Sequence, residues 1–241
     1  MSRVPHDDVY AGEQSALELA HGEIGLVYRL PKYLRHLQEA YAGIKDLKVL
    51  ELGSGAGEAY AMLSRDWPAF VGEWTCSDVS WHGARQERRR GAARALVQDA
   101  TRLAFPADSF DLVVCLDVMH HVGDPVLMAQ EILRVTRQHF FLSEANGLSP
   151  IRKLGEMNTL ARRFQERSYT PRQYLSFFGA DRVCNVRMQP SFVFVPPKTA
   201  HALIPRVVAI NELLEKVPGL RWWGTSVILS GEKIGYGSSI H

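Results

Sequence analysis

Paired histidines, His120-His121, follow closely on Asp117 at the end of the apolar run Phe110 to Leu116, and Glu144 ends the next apolar run, His139 to Ser143. Imidazole changes charge near neutral pH, so either histidine suits a general-base step. A carboxylate on its far nitrogen would fix the tautomer and stabilise the imidazolium. Upstream, the stretch Val49-Leu50-Glu51-Leu52-Gly53-Ser54-Gly55-Ala56-Gly57-Glu58 closes an apolar run with an acid and three alternate glycines. Glycine takes φ > 0 without strain and carries no Cβ, so such a turn makes a floor on which a cofactor can lie. Two further acids stand at the ends of apolar stretches, Asp78 and, before Ala100, Asp99.

The elements that must position these residues alternate. Strands are predicted at about 48–52, 73–77, 94–98, 110–116 and 139–143, and a helix from about Ala56 to Ser64 follows the glycine turn. Asp124 and Pro125 open another helix, with Val126, Ala129, Ile132 and Leu133 as its buried stripe. Strand–helix alternation implies a doubly wound, mostly parallel sheet with helices on both faces. Asp78 lies about twenty residues beyond the glycines, where an acid accepts hydrogen bonds from ribose hydroxyls. A helix opened by Pro31 carries Leu30, Leu34, Leu37 and Tyr41 at helical spacing. Late in the chain Leu203, Val207, Ile210, Leu214 and Val217 form a further helical stripe, followed by Trp222-Trp223. That segment suits a substrate wall, a dimer surface or a membrane-facing edge, with plain core packing as the default.

With those residues in order, the chain resembles the class I S-adenosylmethionine-dependent methyltransferases, in the small-molecule branch similar to ubiquinone- and sugar-modifying enzymes, from about Lys48 to Asn146. The resemblance implies a Rossmann-like sheet of seven strands, the last antiparallel, in a single domain. It divides the chain into a helical N-terminal lid (1–45) with Tyr10 or Tyr28 facing the pocket, a cofactor core (46–146) and a substrate cap (147–180 and 196–224). The last strand (225–234) and a tail (235–241) follow. S-adenosyl-L-methionine would be held by Glu51, Gly53, Ser54, Gly55, Gly57, Asp78, Val79, Asp99, Ala100, Leu116 and Asp117. In it Glu51 and the glycine turn take the methionine end, Asp78 the ribose, and Asp99 with Ala100 the adenine. Catalysis would fall to His120 or His121, with Glu144 as the orienting partner. The chain departs from the family before the fifth strand, where Arg134 to Gln138 replaces the usual Pro-Gly-Gly turn.

Methyl transfer to a phenolic, quinone-like or sugar hydroxyl is the leading expectation. Transfer to nitrogen or carbon, a non-catalytic binding module, and an NAD-dependent Rossmann enzyme are the alternatives. No metal is expected, although Asp117, Glu144 and Asn146 end neighbouring strands and could gather a hard cation. At 241 residues and 46% hydrophobic content the chain supports one substantial core. A net charge of +2 argues against a dedicated nucleic-acid partner. The run Arg85-Gln86-Glu87-Arg88-Arg89-Arg90 has no interleaved aromatic to stack a base and reads as a solvated helix face. The basic segment with Arg152, Lys153, Arg162, Arg163 and Arg167 would favour an acidic substrate if it caps the site, although ordinary helix surface explains it as well. Three isolated cysteines fit a reducing compartment. The absence of an apolar signal or span makes a cytoplasmic protein, with a possible homodimer, the expectation.

Overall fold

A computed structural model of the chain describes residues 28–89, 91–92, 94–157, 167–196 and 199–235. Tyr10, the lid before residue 28, Arg90, Arg162, Arg163 and the tail beyond 235 lie outside the described residues.

In chain order the elements are α1 (Leu30–Ala40), β1 (Leu47–Leu52), α2 (Glu58–Asp66), β2 (Val71–Asp78), α3 (Trp81–Arg89), β3 (Arg94–Val97), β4 (Phe110–Leu116), α4 (Pro125–Val135), β5 (Thr136–Ala145), α5 (Pro150–Glu156), α6 (Pro171–Phe178), β6 (Val183–Ser191), α7 (Ile204–Lys216) and β7 (Ser226–Lys233). The strands form one sheet in the order β3-β2-β1-β4-β5-β7-β6. β7 runs antiparallel to both of its neighbours, and the remaining pairings are parallel. Strand order reverses between β1 and β4, so the loops leaving those two strands border the crevice where such sheets bind ligands.

Alternation along β1 sends Val49 to one face and Leu50 and Leu52 to the other, and both rows are fully buried. On the first face Leu34, Leu37 and Tyr41 of the α1 segment pack with Leu63 of α2, Ala84 of α3 and Trp74 of β2. On the second face Met128, Ile132 and Leu133 of α4 pack with Tyr174 and Phe178 of α6 against Val113 and Phe140. Each apolar helix stripe therefore has a sheet face to cover. The side chain of Asp124 caps α4 by accepting from the Leu127 N–H.

Two local expectations need revision. β5 begins at Thr136, directly after the last residue of α4, so no turn separates helix from strand. This accounts for the missing Pro-Gly-Gly. Arg134, inside α4, instead ties the region together by donating to the Leu103 and Phe105 carbonyls. In α7 the expected stripe does not face inward, since Ile210 is 56% exposed while Asn211 is buried. The helix is anchored by polar groups: Asn211 donates to the Phe194 carbonyl, and Glu215 accepts from the Phe192 N–H, the Ser191 hydroxyl and the Lys32 ammonium. These bonds turn the inward face to Val207, Val208 and Asn211, so Val207 at the edge of the expected stripe packs inward while Leu203, Ile210 and Val217 stay exposed.

Candidate active site

The glycine turn leaves β1 with φ of +62° at Gly53, +57° at Gly55 and +79° at Gly57, all left-handed. These positions require glycine, and Gly53 requires it twice, because a Cβ there would lie 2.2 Å from Cγ2 of Val118. Val118 belongs to the loop after β4, so the two loops bordering the crevice meet at this contact. Gly57 then serves as the N-cap of α2.

Asp78, at the end of β2, is nearly buried and clamps the turn from the side. One carboxylate oxygen accepts the Gly55 N–H at 2.9 Å and the other accepts the Ser80 N–H at 2.8 Å. The next residue, Val79, is 41% exposed beside it. Asp99 uses one oxygen to accept from the N–H and hydroxyl of Thr101, which fixes the turn after β3, and its other oxygen has no protein partner among the described residues. Ala100 and Leu116 are half-buried at the rims of the two cores. A left-handed glycine floor, an acid held at the end of β2, an apolar surface and an available carboxylate oxygen suit a nucleoside carrying an amino-acid tail.

Glu51 is placed differently from the rest of the expected cofactor set. Its carboxyl is 3% exposed, accepts the Trp74 Nε1–H at 2.9 Å, and has its pKa pushed up to about 8 by burial. Ser54 donates its hydroxyl to Glu87 of α3, which is fully buried and whose pKa burial raises to about 7. Glu87 lies within the basic run read as a solvated face, yet it supports the glycine turn from below. The signal for it is the spacing of Gly83, Ala84 and Glu87, all buried on one side of α3.

Across the crevice the structure brings Glu144 to His120. The His120 Nδ1 is 2.7 Å from Glu144 Oε2, and both side chains are buried. Glu144 also accepts from the backbone N–H groups of Val118, Met119 and His120. One carboxylate at the end of β5 thus shapes the whole loop after β4. His121 packs beside the other imidazole with ring centroids 4.0 Å apart and the planes tilted by 41°. Asp117 has a left-handed φ of +58° and pairs with Arg29, just ahead of α1. Arg29 was not singled out by sequence. Nearby Tyr33 shares a hydrogen bond with the Ser226 hydroxyl at 2.7 Å, and burial raises its pKa to about 12. Tyr28 is packed, donating to the Phe192 carbonyl.

The cation-gathering alternative meets other partners. Besides Glu144 and Asp117, Asn146 donates to the Trp222 and Gly224 carbonyls and accepts from the Leu148 N–H. Among the described residues no cluster of three His, Cys, Asp or Glu side chains is arranged to hold a metal. No helix among them is long and apolar enough to cross a membrane.

Residues 50–142, which carry this turn and both loops, match a family model described as a methyltransferase domain. Over those residues the chain is similar to the methyltransferase-domain family. It is 36% identical over 90 residues to the demethylmenaquinone methyltransferase of Beutenbergia cavernae, covering 37% of this chain and 36% of that protein. It is 30% identical over 107 residues to the 2-methyl-6-phytyl-1,4-hydroquinone methyltransferase of Synechocystis, covering 42% and 34%. The matched segments span between 6% and 37% of the length of the curated relatives. Among solved structures, a methyltransferase of Thermotoga maritima described as a possible histamine N-methyltransferase superposes with a TM-score of 0.69 at 15% identity, over 95% of this chain and 99% of that one. At that identity the likeness concerns the fold alone.

Proposed function

We propose that the protein binds S-adenosyl-L-methionine and transfers its methyl group to a small molecule, most simply to a hydroxyl of a phenolic or quinone-like acceptor. The observation that carries the reading is the left-handed Gly53–Gly55–Gly57 turn clamped by Asp78 at the point where strand order reverses. The cofactor, when bound, supplies an electrophilic methyl on a sulfonium sulfur. Gly53, Ser54, Gly55 and Gly57, with Glu51 beneath them, seat the amino-acid end. Asp78 takes the ribose hydroxyls, Asp99 and Ala100 the adenine edge, and Val79 and Leu116 its faces, with Asp117 closing the site.

His120 acts as general base, and Glu144 is its orienting partner. Glu144 accepts at Nδ1, so that nitrogen carries the proton and Nε2 presents its lone pair to the acceptor. The names of the two quinone-modifying relatives support a quinone-like ring acceptor over a sugar. Transfer is metal-independent, because the oxygen groups of Asp117, Glu144 and Asn146 serve protein partners. The test is calorimetric titration with S-adenosylmethionine, its demethylated product and NAD. Binding of the first two but not NAD is expected, and preference for NAD would overturn the reading.

A further inference from the structure

We propose that Arg152 of α5 selects the methyl acceptor, holding an acidic ring or enol oxygen as its anion beside His120. The inference rests on the methyl-transfer reading and narrows its substrate class. Arg152 places Nη2 3.5 Å from Nε2 of His120, at the outer limit of a hydrogen bond. No carboxylate pairs with it among the described residues, and its Nε is shut from solvent without a partner there. The contrast with its neighbour is direct, since Lys153 on the same helix pairs with Glu156. Arg134, Arg137 and Arg29 likewise have Glu131, Asp111 and Asp117. A half-buried guanidinium with unfilled donors is costly, and an anion presented to its fork offsets that cost.

The position of Arg152 restricts what the anion can be. Glu144 holds the proton of His120 on Nδ1, so the Nε2 lone pair faces Nη2 of Arg152, and an oxygen seated beside that pair would be within reach of both. A phenol or enol placed there loses its O–H proton to Nε2, and the resulting oxyanion accepts from the guanidinium. The oxygen lone pair, or the conjugated ring-carbon pair, then forms the new bond to the methyl carbon while the carbon–sulfur pair stays on sulfur. If carbon is methylated, that carbon afterwards releases its own proton to restore the ring. Arg152 serves either outcome, because both pass through the same oxyanion. An aliphatic or sugar hydroxyl is far less acidic and gains little from such a cation.

The discriminating experiment compares 4-nitrophenol, held at a pH where it is ionised, with neutral 4-nitroaniline of the same shape. Both are titrated by calorimetry into the protein saturated with demethylated cofactor. The wild type should bind the phenolate about ten- to a hundredfold more tightly than the aniline, the share of one charge-assisted contact. Arg152→Gln should lose that preference while keeping its affinity for the demethylated cofactor, and Arg152→Lys should keep part of it, which also serves if the glutamine variant folds poorly. A merely structural arginine would not move this ratio. Equal binding of the two probes by the wild type, or an unchanged preference in Arg152→Gln, overturns the inference and leaves methyl transfer standing. Failure of the wild type to bind demethylated cofactor brings down the methyl-transfer reading, and this inference with it.

Discussion

Replacing Asp78 should separate the architecture of the glycine turn from the ligand it holds. In Asp78→Ala the Gly55 and Ser80 N–H groups lose their acceptor in a nearly buried position. Bonds to an ionised acceptor contribute about 1.5 to 3 kcal/mol each, so an apo destabilisation of about 2 to 5 kcal/mol is expected after relaxation. Loss of the ribose contacts should weaken cofactor binding a further ten- to hundredfold. Thermal melts with and without S-adenosylmethionine read both effects, because a ligand at a hundred times its Kd adds about 2.7 kcal/mol to the folded state. At a ligand concentration that saturates the wild type, the variant's melt should start lower and gain much less. Asp78→Asn keeps one acceptor oxygen and should fall between the two. A variant that loses stability yet keeps the full ligand-induced gain would refute the ribose assignment and leave Asp78 as a purely structural clamp.

His120→Ala should cut turnover by about 10²- to 10⁴-fold at unchanged cofactor affinity, with His121→Ala much milder, because Glu144 contacts the first imidazole. Turnover within a few-fold of wild type in both would remove the general base. Gly53→Ala should abolish cofactor binding, and a Val118→Ala partner substitution should recover part of it by relieving the 2.2 Å approach, although the left-handed strain persists. No recovery in the double variant, read by calorimetry, would contradict the loop–loop contact. Glu51 should make stability fall with rising pH. Burial raises its folded pKa to about 8, so from about pH 4.3 up to that value the folded protein keeps a proton that the unfolded chain releases. The stabilisation is complete below the unfolded pKa and lost as pH rises through the folded one. Glu51→Gln should flatten that decline in urea melts at about pH 5 and about pH 8, and an unchanged slope would show that the burial of Glu51 is not its source.

The parts of the molecule legible in the sequence were those set by local chemistry. Three alternate glycines permit a left-handed turn that other residues would resist, and a run as apolar as Phe110–Leu116, broken only by Asp111, suits a strand covered on both faces. What stayed hidden depends on groups distant in sequence. Arg29 meets Asp117 across 88 residues of chain, and Lys32 meets Glu215 across 183. The apolar stripe of α7 misled because the helix is docked by Asn211 and Glu215 onto the 191–194 segment, and hydrogen bonds to a loop leave no periodic trace. Glu87 was concealed by the arginines around it, although only the face carrying Gly83, Ala84 and Glu87 is buried. Which histidine pairs with Glu144 was also beyond sequence, since it turns on how the loop after β4 is folded by three backbone bonds to that same carboxylate.

The most direct test of the central claim is transfer of a labelled methyl group. Wild type, Asp78→Asn and His120→Ala are incubated with methyl-labelled S-adenosylmethionine and a panel of phenolic and quinol acceptors, and products are read by mass spectrometry. The account predicts a labelled acceptor with the wild type, restored by added cofactor in Asp78→Asn and not in His120→Ala. Tight cofactor binding with no labelled product from any acceptor would contradict it, and would make the protein a binding module on a methyltransferase fold.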